Sequence, residues 1–75
     1  MTFTYDVDDL NTTTATGRRN AVRFLVGDTD PLDVQVQDDE IAFVLTESSN
    51  NVYEAGAYCC RAIAAKYSRR VDTEL

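Results

Sequence analysis

A chain of 75 residues with net charge −6 and no histidine is one domain at most, burying only about 60% of the surface its unfolded form exposes. The missing histidine removes the commonest transition-metal ligand and general base. The adjacent Cys59 and Cys60 would point about 100° apart on a helix and cannot close an ordinary disulfide. A partner is the remaining source of stability, so oligomerisation or docking is expected.

The N-terminus lacks a basic patch followed by an apolar run, so no signal peptide is expected. No apolar stretch approaches the ~20 residues of a membrane span. Free thiols then favour a reducing cytoplasm. The charge is uneven: residues 1–50 hold ten acids against three arginines, and residues 51–75 hold four basic side chains against three acids. That balance argues against wrapping nucleic acid, which needs clustered cations.

Residues 1–16 are polar, and the run Thr12-Thr13-Thr14 favours extended backbone. They read as an extended arm whose apolar residues Phe3, Tyr5, Val7 and Leu10 lack a local partner. The helical domain is expected over 17–75. Its first helix spans 17–26, with Ala21, Val22, Leu25 and Val26 on one face, Phe24 flanking, and Arg18, Arg19 and Arg23 elsewhere. Gly27 is a stop able to take positive φ, and Asp28-Thr29-Asp30-Pro31 is a turn that forbids continuation. Residues 32–37 alternate as a short strand or an extended connector. The second helix is expected over about 38–48, with Asp38, Asp39 and Glu40 at the positive end of its dipole. Ile41, Val44 and Leu45 repeat at helical spacing, with Phe43 beside them, and Ser48-Ser49-Asn50 ends the element.

The third helix runs from Val52 to about Arg70, with Asn51 as N-cap and Glu54 completing a capping-box-like pair. Between Ala55 and Ala65 the only charge is Arg61. A polar stripe passes through Glu54, Tyr58, Arg61, Ser68 and Asp72, and the rest of the circumference is small and apolar. Such a helix is normally buried on two sides. The first two helices can cover one; something outside the chain is expected on the other. The fold class is therefore all-α: two short helices packed on one long C-terminal helix, with an extended N-terminal arm.

Motifs for chemistry are weak. Asp28-x-Asp30-x-x-Asp33 fails the Ca²⁺-loop pattern, because positions 5, 6 and 12 are Leu32, Asp33 and Asp39. Cys59-Cys60, mid-helix among alanines, reads as small apolar packing, and Asp38-Asp39-Glu40 as a charged first turn. No phosphate loop, Ser/His/Asp set or H-E-x-x-H is present, so neither enzyme activity nor a cofactor is expected.

The ordered run Val22-Arg23-Phe24-Leu25-Val26-Gly27-Asp28-Thr29-Asp30-Pro31, then Asp38-Asp39-Glu40-Ile41, then Asn51-Val52-Tyr53 opening an alanine-rich helix that ends Arg69-Arg70-Val71-Asp72, resembles the head–tail connector (adaptor, or head-completion) proteins of tailed bacteriophages. The similarity covers Ala21 to Asp72. It implies a dodecameric ring at the head–tail junction of the virion, beneath the portal. The partners implied are further copies of the chain, the portal protein and the next neck, stopper or tail protein. DNA would pass through the channel without specific binding, and an acidic wall would keep it from sticking. The residues expected at interfaces are Phe3 and Tyr5 on the arm, and Tyr53, Ala57, Cys60, Ala64, Tyr67 and Val71 on the long helix. The rival reading is an acidic regulatory or inhibitor protein that covers a basic partner surface.

Overall fold

The computed structural model describes residues 2–74, with side-chain surroundings through Arg69. Three helices follow in order, α1 (Ala15–Val26), α2 (Asp38–Glu47) and α3 (Val52–Glu74), and α3 is the longest and packs against both others. The all-α expectation holds. Residues 32–37 form turns and an extended connector, with no strand among the described residues.

Local chemistry sets the ends. α1 starts two residues before the expected position because the hydroxyl of Thr14 accepts from Gly17 N at 3.0 Å and caps the first turn. It stops at Gly27, whose φ of 75° is left-handed. There Gly27 N donates to Phe24 O and Asp28 N to Arg23 O, at 3.2 and 3.0 Å, the paired closure of a Schellman motif. At α2 the reciprocal capping contact is Gln37 N to the Glu40 carboxylate, 2.8 Å. At α3 the Asn51 Oδ1 accepts from Tyr53 N and Glu54 N, both at 3.1 Å. The Glu54 carboxylate, expected to reach back to residue 51, instead accepts from the Tyr58 hydroxyl at 3.4 Å. Ser49 and Asn50, with φ of 55° and 66°, make the sharp link between α2 and α3.

The apolar core is small: Val22, Val36, Ile41, Leu45, Val52, Ala55 and Cys59. It contains no phenylalanine or tyrosine, and its largest fully buried side chain is Arg23. The sequence placed Arg23 off the core face. The structure corrects this: the N-terminal residues roof that side of α1, so α1 is covered from two directions. Arg23 uses four of its five N–H donors. Nη1 donates to Asp28 Oδ2 (2.7 Å) and Val36 O (2.8 Å), Nη2 to Asp38 Oδ1 (2.9 Å) and Nε to Thr4 O (2.9 Å). The Phe3 ring lies 4.0 Å from its Cζ. Asp28 is also saturated, accepting from Gln35 N and Val36 N at 3.0 and 2.9 Å. One buried ion pair thus ties the arm, the end of α1, the connector and the start of α2 together.

The arm is accordingly a strap laid on its own chain. Asp38 N donates to Thr2 O at 2.9 Å, and Thr4 donates through N and Oγ1 to the Asp38 carboxylate at 3.0 and 2.8 Å. Further along, the fully buried Asn20 bridges Asp6 N and Asp9 O. The lack of a local partner expected for the arm's apolar residues is corrected for Phe3, which has Arg23.

Burial would raise the Asp38 carboxyl, but hydrogen bonds from Arg23 and Thr4, with the charge of Arg19, outweigh it and hold the carboxyl below its ordinary value. A depressed folded-state value contributes stability above the unfolded carboxylate pKa of about 3.9, and that contribution is lost as pH falls through the folded value. Thermal melts by circular dichroism from pH 7 to 2.5 are therefore expected to hold the midpoint down to about pH 4 and lose it below. Asp38→Asn is expected to lower the midpoint at pH 7 and flatten the acid limb.

Candidate docking face on the third helix

α3 turns Val52, Ala55, Gly56 and Cys59 inward, with Ile63 half-buried. Gly56 faces α1, where an added Cβ would make ordinary van der Waals contact with Leu25 and Val26, 3.8 Å away. Past Ile63, Lys66 Nζ donates to Gln35 O at 2.7 Å and the Tyr67 hydroxyl to Gln35 Oε1 at 3.1 Å.

On the outward side, Tyr53 is 72% exposed and Ala57, Cys60 and Ala64 are all exposed. These four, with Tyr67 and Val71, repeat at spacings of 4, 3, 4, 3 and 4, which places them along one line of the helix. The structure thus brings Tyr53, Ala57, Cys60 and Ala64 together on a single outward ridge. Tyr67 lies toward its edge, its hydroxyl engaged by Gln35. Val71 belongs to the helix, but its side chain lies outside the described residues. Phe3 and Tyr5 are half-buried in the strap, Phe3 against Arg23, and belong to a different part of the chain from the ridge.

The ridge is flanked by polar contacts that keep its borders wet. Arg61 stacks on Tyr58, 5.0 Å from the ring centroid. Small side chains along the ridge leave the backbone open to close approach, while Tyr53 supplies an aromatic body with a polar tip.

Other apolar side chains outside the core did not stand out in the sequence. Leu25, expected to face the core, is 44% exposed, Phe24 is 62% exposed and Phe43 is 64% exposed. Phe43 lines an open groove of about 380 Å³ with Val36, Val44, Cys59 and Ala62. Its signal was present in the spacing: two residues from Ile41, it lies about 200° around α2 from the buried face. Leu25 loses its expected burial because the strap, and not a helix, covers the far side of α1.

The two thiols differ: core packing, expected of the pair, holds for Cys59 and is corrected for Cys60, which points away from α1 and α2. Cys59 is buried, and burial, reinforced by Cys60, pushes its pKa up to about 11; Cys60 is exposed. Maleimide at pH 7.5 is expected to label Cys60 alone in the folded chain, with Cys59 about a hundredfold or more slower until denaturant is added. Mass spectrometry of the tryptic peptides checks this.

Among the described residues no group of three or more acidic or cysteine side chains converges as a metal site would require, and no described helix is long and apolar enough to cross a membrane. What the face on α3 can do chemically is pack. No protein-family model matches this sequence, and neither curated proteins nor solved structures show a significant similarity to it.

Proposed function

We propose that the chain is a structural adaptor of the head–tail connector type, assembling into a ring through the outward ridge of α3 and docking on a portal-like vertex. The observation that carries the reading is the ridge itself. A 23-residue helix buries one side in its own chain and leaves a line of small and aromatic residues uncovered along its flank. Exposed apolar surface of this kind marks interaction sites, and a core without a buried aromatic ring gives a partner something to complete. The order of motifs from Ala21 to Asp72 supports the same reading, with a capped short helix and an acidic turn between two helices that meet at Gly56. The acidic α2 start, where Asp39 and Glu40 are exposed, suits a surface past which a polyanion moves without adhering.

The deciding experiment is negative-stain microscopy with native mass analysis of the protein alone and mixed with purified portal. Rings, or a stoichiometric portal complex, are expected. A compact monomer indifferent to portal overturns the proposal.

A further inference from the structure

Phe43, 64% exposed on α2, edges an open groove lined also by Val36, Val44 and Cys59 and, from α3, by Ala62. The charged side chains lining it are Asp39 and Glu40, both acidic and both exposed. Ala62 is two residues from both Cys60 and Ala64, so it lies about 160° around α3 from each. The groove and the ridge therefore open on opposite sides of α3. Their charges are opposite as well. α2 carries Asp38, Asp39, Glu40 and Glu47 and no basic side chain. From Val52 to Arg69, α3 carries Arg61, Lys66 and Arg69 against Glu54 alone. Arg61 borders the ridge, its Nε donating to Ala57 O at 3.4 Å, while Glu54 is engaged by the Tyr58 hydroxyl.

We propose that the groove and the ridge are two halves of one contact, made head to tail between copies of this chain. The Phe43 edge of one copy packs on Ala57, Cys60 and Ala64 of the next, and Asp39 and Glu40 face that copy's Arg61. This contact presupposes the ring reading above and supplies the surface that the ridge meets in it. Small side chains on a helix leave a hollow into which a protruding ring fits, and closing it takes apolar area on both copies out of water. A ridge paired with a second ridge does less, because it leaves Phe43 in water and brings two basic flanks together. Such a pairing is self-complementary and ends at two copies. Two unlike patches on opposite sides instead join each copy to two neighbours, and the series closes into a ring when the rotation between copies allows it. A net charge of −6 opposes association of copies in general, so the local match of acid to base selects this docking over others.

Sedimentation velocity and native mass analysis of the full chain at millimolar concentration compare the parent with Phe43→Glu, which spoils the groove, Ala57→Glu, which spoils the ridge, and an equimolar mixture of the two. Both positions are exposed, so circular dichroism melts of the variants are expected to match the parent. The parent is expected to form rings, and each variant alone to associate at least about a hundredfold more weakly. The mixture is expected to give a dimer and nothing larger, because one intact groove still meets one intact ridge. Arg61→Gln is expected to weaken the parent's association about threefold, whereas a ridge-to-ridge dimer tightens once that charge is gone. Undiminished association of Phe43→Glu, a mixture without dimer, tighter association of Arg61→Gln, or a parent that stops at two copies overturns the contact and leaves portal docking to be judged on its own. A parent that stays monomeric overturns the contact too, and overturns the connector reading only if portal is also refused.

Discussion

Arg23→Met is expected to destabilise the chain by about 3–5 kcal/mol, the usual cost of removing one partner of a buried ion pair. A domain of this size has roughly 4–11 kcal/mol in total, so the loss takes from about a quarter of that stability to all of it. The loss has several parts. Asp28, whose side chain is fully buried, is left as an uncompensated charge. The carbonyls of Val36 and Thr4 lose a donor each, and the strap loses its anchor under Phe3. Urea titrations followed by circular dichroism measure the shift. Arg23→Lys is not expected to rescue, because one ammonium on a flexible stem cannot reach the four acceptors that a rigid fork reaches at once. Adding Asp28→Asn to Arg23→Met should recover more than about 1 kcal/mol relative to the sum of the single variants, since the orphaned charge is gone while an acceptor for a connector amide remains. An Arg23→Met loss below about 1 kcal/mol would show that the ion pair is not what joins the four segments.

That hub also marks the boundary of what the sequence made legible. Elements whose limits depend on short-range chemistry were readable: the Gly27 stop, the Asp/Pro turn, the acid-loaded start of α2 and the Asn51 cap each act within about four residues of themselves. Helical periodicity likewise set out the exposed line of Tyr53, Ala57, Cys60 and Ala64, which lies about 100° around α3 from the buried Val52, Ala55 and Cys59. What periodicity could not supply was the strap. Its contacts join residues 11 to 36 positions apart, among them Asn20 to Asp9, Arg23 to Thr4 and Asp38 to Thr2, and nothing in the composition of a polar, threonine-rich arm announces its docking site. Once the strap covers α1, the fate of several other residues follows. Arg23 and Asn20 go inside, Leu25 is left half outside, and Phe3 becomes the lid of a cation. The capping box shows the same limit in miniature. The sequence offered the pair at Asn51 and Glu54, yet it is Glu40 that reaches back, to Gln37 N, while Glu54 is engaged by Tyr58 one turn on.

Ala57→Glu and Ala64→Glu are expected to leave the isolated chain within about 0.5 kcal/mol of its parent stability, since both positions are exposed on α3 and alanine and glutamate have similar helix propensity. The same substitutions should weaken ring formation or portal binding by at least about a hundredfold, because an unpaired carboxylate driven into a desolvated seam costs several kcal/mol. Tyr53→Ala, which truncates the ridge's largest exposed side chain, should cost about 2 kcal/mol of association on the pattern of aromatic anchors. Two features make this set discriminating. Tyr53, Ala57 and Ala64 make none of the hydrogen bonds of the Arg23 hub, so their variants should not share the acid sensitivity of Asp38 or the urea sensitivity of Arg23→Met. Cys60 lies within it, so maleimide labelling reports occupancy directly: Cys60 should react in the free chain and become protected in the assembly, while Cys59 stays silent in both. Sedimentation velocity of each variant, alone and with portal, reads the association. If Ala57→Glu and Ala64→Glu assemble like the parent, the seam is not on this side of α3. Phe24, Phe43 and the groove beside Cys59 and Ala62 would then be the apolar surface to substitute next, with Phe43→Glu the corresponding test.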